Sequence, residues 1–438
     1  MLKKVALHID EVLPFLNKAS LLIAVSGGLD SVVLSHILHR LDHNIAIAHC
    51  NFNLRGIESD LDEKFVFELG NSLGITTHLT SFQTTEIAAK NKSSIQLTAR
   101  KLRYDWFQQL LLNHKYDYVL TAHHLDDNLE TFFINFTRGT GLDGLLGIPV
   151  INENIVRPLL PFSRDEINQF AISEKINWRE DQSNASSKYL RNKIRHQIVP
   201  VLKEINPNLL DSYLKTNRFL KQSQNLIDEH MKAIKEGLWF EDSNGIINID
   251  IAKLKQSKNP KAILYQLLKD YHFTAWEDIY HLLEAQSGKK VFSKTHQLLK
   301  DRMFLLLSKK TLSSKNDAIF KIDENTEQID APISIKFTEV TSVGLKSKNQ
   351  IYIDKDLLSF PLHLRKWQKG DVFYPSGMKG KKKLSDYFKD EKFSLLEKDQ
   401  TWLLCTNNEI VWIVGKRQDE RFNAENSSKN ILQILFNQ

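Results

Sequence analysis

Only two cysteines occur in 438 residues, Cys50 and Cys405, and they are too far apart to form a CxxC pair. That excludes a disulfide framework and a thiolate metal site, and it suits a reducing compartment, so a cytoplasmic location is expected. Also missing is any GxxxxGK[ST] stretch, which disfavours ordinary P-loop NTPases. No apolar run is long enough to span a bilayer. The opening "MLKKVALHIDEVLPFL" is interrupted by Asp10 and Glu11, as in an amphipathic helix rather than a signal peptide. The charge excess is only +6, which permits a polyanionic partner without demanding one.

What is present is enough apolar residue, 42% of the chain, to build more than one core. Between residues 21 and 120, "LLIAV", "IAIAHC", "GITTHL" and "YDYVLTA" read as buried strands, separated by helical stretches at 30–41 and 94–113. Strands alternating with helices predict an α/β domain with a doubly wound, mostly parallel sheet over residues 1–205. Long amphipathic runs such as "SYLKTNRFLKQSQNLIDEHMKAI" predict a helical middle domain over 206–310. A polar stretch predicts a linker or hairpin region over 311–350. "IYID", "TWLLCT" and "EIVWIVG" then predict strands of a small α+β domain over 351–438.

Where the first strand turns into a helix stands Ser26-Gly27-Gly28-Leu29-Asp30-Ser31. Glycines let backbone amides approach phosphate oxygens, the helix start supplies free N–H groups, and two hydroxyls add donors. Asp30 alone repels phosphate, which points to a bridging magnesium ion. The plain alternative is a tight turn followed by an acid that the helix dipole favours. His49 ends the second strand on the expected crevice side.

In "TAHHLDDNLETFFINF" a helix is expected to begin near Leu125, with Asp127 and Glu130 on one face, suited to magnesium or an ammonium group. Adjacent histidines on a strand point to opposite faces, which disfavours zinc at His123 and His124. Gly139-Thr140-Gly141-Leu142-Asp143-Gly144 satisfies GxGxxG, but it follows a helix instead of a strand and reads as a loop. In "TARKLRYDWF", Arg100 and Arg103 share a helix face that suits phosphates or simply water. Arg191, Lys193 and Arg195 crowd one short helix, as does charge at Lys381, Lys382 and Lys383 near Trp367, Phe373 and Tyr374. Such clusters fit RNA phosphates, with the aromatics free to stack on bases, or else a solvated surface.

"SGGLDS" resembles the SGGxDS loop of the PP-loop ATP pyrophosphatases, which cleave ATP between the α and β phosphates. The later segments resemble, in order, those of the tRNA(Ile)-lysidine synthases: His49, Asn51, Leu54, Arg55, Glu58 and Asp60; "TARKLRYDWF"; "AHHLDDNLET" with "RGTG"; "RPLL"; and Asp181, Ser183, Asn184 and Tyr189 followed by "RNKIR". The resemblance implies ATP and Mg2+ as cofactors and a CAU-anticodon tRNA(Ile) and free lysine as partners. It implies ligation of lysine to carbon 2 of the wobble cytidine through an adenylate. The site it implies has Ser26, Gly27, Gly28, Leu29, Asp30, Ser31 and His49 around ATP, Asp30 and Asp127 on magnesium, and Asp127 with Glu130 on the lysine amine. Arg100 and Arg103 would meet phosphate of ATP or tRNA. Arg191, Lys193, Arg195 and Lys381, Lys382 and Lys383 would meet the tRNA. Gln96 stands where the family usually carries a glutamate, and "EKFSLLEKDQTWLL" lacks an arginine often found there. Two rivals are a tRNA thiolase of the same superfamily and a non-catalytic tRNA-binding protein. The oligomeric state, homodimer included, stays open.

Overall fold

The apolar runs that lack polar alternation become the centre of a six-stranded sheet, in order β3-β2-β1-β4-β6-β5. Its strands are β1 (Leu21–Ala24), β2 (Ile45–Asn51), β3 (Thr77–Ser81), β4 (Tyr118–Leu120), β5 (Ile151–Asn152) and β6 (Ile155–Val156). All neighbours pair in parallel except β5 with β6. The chain moves outward from β1 to β3 and returns to lay β4 against the free side of β1. A reversal of that kind opens a crevice at the carboxyl ends of the two strands, and ligands of doubly wound sheets bind there. The computed structural model describes residues 1–180, 190–242, 245–310, 319–378, 380–425 and 427–437.

Helices of this first unit, Met1–Glu229, are α1 (Leu2–Val12), α2 (Leu29–Arg40), α3 (Ile57–Leu73), α4 (Thr84–Lys90), α5 (Ile95–His114), α6 (Leu125–Thr137), α7 (Leu142–Leu145), α8 (Arg164–Ser173), α9 (Leu190–Lys193), α10 (Val199–Ile205) and α11 (Leu209–Leu238), the last running on past the unit's end. Successive strand residues face opposite sides. Leu21 and Ile23 therefore pack with Val33, Ile37, Val66 and Phe170 of α2, α3 and α8, whereas Leu22, Ala46 and Val119 pack with Phe107, Leu110 and Leu111 of α5. Leu34, Ile37 and Leu38 are fully buried in α2, and each such side chain contributes about 1.5–3 kcal/mol. The start of α2 is thereby fixed by its own core and does not depend on a ligand.

The second unit, His230–Gln438, departs from expectation. Of the stretch expected to be helical, 206–310, α11 bears out "SYLKTNRFLKQSQNLIDEHMKAI", but after it the described residues hold only three short α-helices, together with a five-stranded sheet from Trp239 to Lys309. Its inner strands, His296–Asp301 and Phe304–Lys309, carry "LLKD" and "FLLLSK". Such short runs have no decisive period and read equally as buried helix. Of the linker or hairpin expected over 311–350, the hairpin is present: Gln328–Ile329 and Ser334–Val340 pair antiparallel, Phe320–Ile322 joins another sheet, and residues 311–318 lie outside those described. Ser334–Val340 alternates buried and exposed residues along the final strand, Ile431–Asn437, so its polar face is solvent, not disorder. The expected strands at "IYID", "TWLLCT" and "EIVWIVG" are present, as Gln350–Asp354, Trp402–Thr406 and Glu409–Ile413.

Candidate active site

The loop from Val25 to Ser31 closes on itself through its hydroxyls. Ser31 Oγ donates to the Gly28 carbonyl (3.0 Å) and accepts from the Ser26 amide (3.2 Å), while the Gly28 amide donates to Ser26 Oγ (3.3 Å). Gly27 has φ +90°, a conformation that side-chain-bearing residues rarely adopt. Gly28 is the N-cap of α2 and brings no side-chain oxygen, so no side chain caps the first amides of the helix. Behind the turn, the Arg179 amide donates to the Gly27 carbonyl (3.0 Å), and the Arg179 guanidinium reaches Asp62 (2.5 Å) and Glu58 (2.7 Å) of α3. His49 Nδ1 contacts the Val25 carbonyl at 2.8 Å; burial lowers the histidine's pKa, and its Nε2 is buried without a partner among the described residues.

Across the crevice, α6 begins at Leu125 as expected, because His124 and Asp127 form a capping box: the Asp127 amide donates to His124 Nδ1 (3.3 Å) and the His124 amide to Asp127 Oδ2 (3.2 Å). His124 is therefore a helix cap and not a strand residue. Its Nε2 lies 3.8 Å from Asp30 Oδ2 and 3.3 Å from Asp127 Oδ2, so one buried imidazole joins the glycine-rich loop to α6. His123 diverges from it, meeting Thr121 Oγ1 at 3.0 Å, and burial depresses its pKa to about 4. The pattern GxGxxG falls after α6 and runs into α7, with no strand before it.

The acids of this crevice sit in distinct environments. Burial raises the pKa of Asp30, against the field of His124, and its Oδ1 is buried without a partner among the described residues. Burial also opposes ionisation of Asp127, but His124, His123 and Arg195 together outweigh it and hold that carboxyl low. For Glu130 burial prevails and the pKa is raised, although Arg195 faces it. Two acids pushed up beside one held low suit a site that handles both a cation and a proton.

Arg195 corrects the sequence reading. Its Nε donates to Glu130 Oε1 (2.6 Å) and its Nη2 to Glu130 Oε2 (3.0 Å) and Asp127 Oδ1 (3.1 Å). It is an internal counter-ion, not a free phosphate contact. Arg191 also turns inward, donating to Thr131 Oγ1 (2.6 Å), and only Lys193 of the three is exposed. A single turn of π-helix at Ile194–Ile198 follows α9 and shifts the register by one residue, which a 3.6-residue period could not anticipate. Asp181, Ser183, Asn184 and Tyr189 lie outside the described residues.

Arg100 and Arg103 stand on α5 over aromatic rings, Arg100 at 4.9 Å from Tyr104 and Arg103 at 5.2 Å from Phe52. Arg103 also acts on His49 beside the loop. Sequence reasoning gave no role to His124, Arg157 or Arg179; the return of β4 to the side of β1 brings His124 to the loop, and β6 beside β4 brings Arg157 near His123. Both cysteines are poor nucleophiles, since burial pushes each thiol up to about 12.

In the second unit, Lys381 and Lys383 are exposed, whereas Lys382 pairs with Asp390 at 2.7 Å. The expected aromatic platform is incomplete: Phe373 is fully buried, while Trp367, packed on Phe388, and Tyr374, under Arg421, are half-buried. If this edge meets RNA, replacing all three lysines by alanine should flatten the salt dependence of tRNA binding by about two in logarithmic slope, not three. A slope equal to that of the unaltered chain returns the cluster to plain surface.

Comparisons with known proteins agree in order along the chain. Residues 1–202 match a PP-loop domain, 242–310 a TilS substrate binding domain, and 362–434 a TilS substrate C-terminal domain. The chain is 38% identical to a tRNA(Ile)-lysidine synthase of Parabacteroides distasonis over all of both chains. It is 35% identical to one of Bacteroides thetaiotaomicron over 98% of each. Among solved structures, a U34-tRNA thiolase of Methanococcus maripaludis aligns with 50% of this chain and 79% of its own, at TM-score 0.41 and 18% identity.

Proposed function

The chain belongs to the tRNA(Ile)-lysidine synthase family, enzymes that use ATP to modify tRNA, and from that premise we propose the reaction in residue terms. The base carbonyl at position 2 of the wobble cytidine attacks the α-phosphorus of ATP, expelling pyrophosphate. The ε-amine of free lysine then attacks carbon 2, forming a carbon–nitrogen bond as the bond to AMP breaks. The ammonium loses one proton to become a nucleophile and a second once the carbon–nitrogen bond has formed. The observation that carries this reading is His124, which touches both Asp30 and Asp127 and so sets the glycine-rich loop and the acidic helix on one crevice.

In this reading Ser26, Gly27, Gly28, Leu29 and Ser31 present amides and hydroxyls to the triphosphate, with His49 at the rim. Asp30 and Asp127 fit a magnesium ion: one oxygen of Asp30 is buried with no partner among the described residues, and no cage of three ligating side chains is preformed there. Mg2+ characteristically takes one or two carboxylates and completes its shell with phosphates and water. When bound it would neutralise phosphate charge. Asp127 and Glu130 hold the lysine ammonium and take up its proton, and the high-lying Glu130 is the better acceptor. Arg100 and Arg103 meet phosphate, and the second unit selects the CAU-anticodon tRNA. Such an enzyme would work in the cytoplasm, beside its tRNA.

The deciding experiment incubates the protein with tRNA(Ile), ATP and either lysine or a sulfur donor. Lysine-dependent AMP release is expected. Sulfur incorporation would indicate a thiolase, a chemistry for which the two high-pKa cysteines are ill suited, and absence of any turnover would indicate a binding protein.

A further inference from the structure

Arg157 follows β6 directly, and the pairing of Leu120 with Val156 sets it beside the segment leaving β4 for His123 and Asp127. Its side chain is only 5% exposed. Nη1 donates to the Pro149 carbonyl at 2.7 Å, and the Tyr104 phenol acts on the guanidinium. Its Nε is buried without a partner among the described residues. The charges around it share its sign: Arg100 acts on it directly, and it and Arg191 both act on His123. A desolvated guanidinium met only by a carbonyl and a phenol is costly to maintain, and an incoming anion removes that cost.

The shape of the group restricts the anion. A planar fork with a free Nε matches a carboxylate at two points. Burial keeps it from the backbone of a polymer lying on the surface, whereas a free amino acid can enter. His123 feels both Asp127 and Arg157, so the guanidinium and the first acid of the pair share one neighbour. A ligand with an amine at one end and a carboxylate at the other suits both. We propose that Arg157 binds the α-carboxylate of the free lysine whose amine Asp127 and Glu130 hold. This rests on the lysine-joining reaction given above.

The test compares lysine with cadaverine, which is lysine without its carboxylate, in the unaltered enzyme and in Arg157→Met and Arg157→Lys, with tRNA(Ile) and ATP. The unaltered enzyme should favour lysine over cadaverine by about 10–100-fold in kcat/KM, the span of one charge-assisted hydrogen-bonded pair. Arg157→Met should raise the lysine KM by a similar factor, leave cadaverine use unchanged and leave the ATP KM in pyrophosphate exchange unchanged. Equal use of lysine and cadaverine by the unaltered enzyme overturns the proposal without any variant, so a misfolded Arg157→Met does not shelter it. A rise in the ATP KM with a constant lysine KM also overturns it, and assigns the guanidinium to phosphate. If the unaltered enzyme joins lysine while both variants keep its KM, only this proposal falls; if it joins neither amine, the reaction itself is wrong.

Discussion

Asp30→Asn should reduce tRNA-dependent ATP–pyrophosphate exchange by about 10²–10³-fold, the usual loss when one preorganised electrostatic group is removed. Its melting temperature should stay level or rise. The two outcomes separate function from folding because Asp30 is held at a cost. Burial raises its pKa, its Oδ1 has no partner among the described residues, and His124 reaches only its other oxygen, at 3.8 Å. An acid whose folded pKa lies above its unfolded value subtracts stability as pH rises through that interval, so an amide of the same shape removes the penalty. The gain in melting temperature should therefore appear near neutral pH and vanish in acid, where Asp30 is protonated in both states. Filter-binding with tRNA(Ile) should change little, since no RNA contact is assigned to this carboxyl. Exchange within tenfold of the unaltered enzyme would remove Asp30 from the reaction.

The sequence was most legible where chemistry and periodicity coincide. "LLIAV" followed by "SGGLDS" specifies a strand, a positive-φ glycine and a helix start within eleven positions, and all three occur there. The first residue of α6 was equally readable, because Asp127 lies three positions after the cap. What could not be read depends on contacts across long separations. Arg195 is 65 positions from Glu130 and reaches it only because the π-turn rotates the chain after α9. Locally, "RNKIR" has the same spacing as a solvated basic helix. Phe373 likewise reads as an exposed aromatic among lysines until the fold packs it with Tyr387, Phe388 and Leu403 in one apolar cluster. The five-stranded sheet between Trp239 and Lys309 was missed because runs of three to six residues carry too little period to separate strand from helix.

Glu130→Gln should lower lysine transfer by about 10²–10³-fold while pyrophosphate exchange continues. Burial raises the pKa of Glu130 as it does that of Asp30, but Glu130, unlike Asp30, is hydrogen-bonded to a half-buried guanidinium, and losing those bonds should destabilise the fold. Glu130 is 2% exposed and receives two hydrogen bonds from Arg195, at 2.6 and 3.0 Å. The glutamine keeps one acceptor oxygen but turns a donor toward the guanidinium, a loss of about 1.5–3 kcal/mol for a hydrogen bond to a charged group. Stability and chemistry then fall together, and the single variant cannot say which caused the loss of transfer. The double variant Glu130→Gln with Arg195→Met can. Removing both partners of a buried pair is gentler than removing one, and Asp127, which also loses Arg195, keeps the field of His124 and His123. The melting temperature should recover most of its loss. Lysine transfer should not recover, because the carboxylate that accepts the ammonium proton is still gone. A double variant that regains both would make the pair a strut between α6 and the π-turn, and Asp127 alone would have to receive the amine.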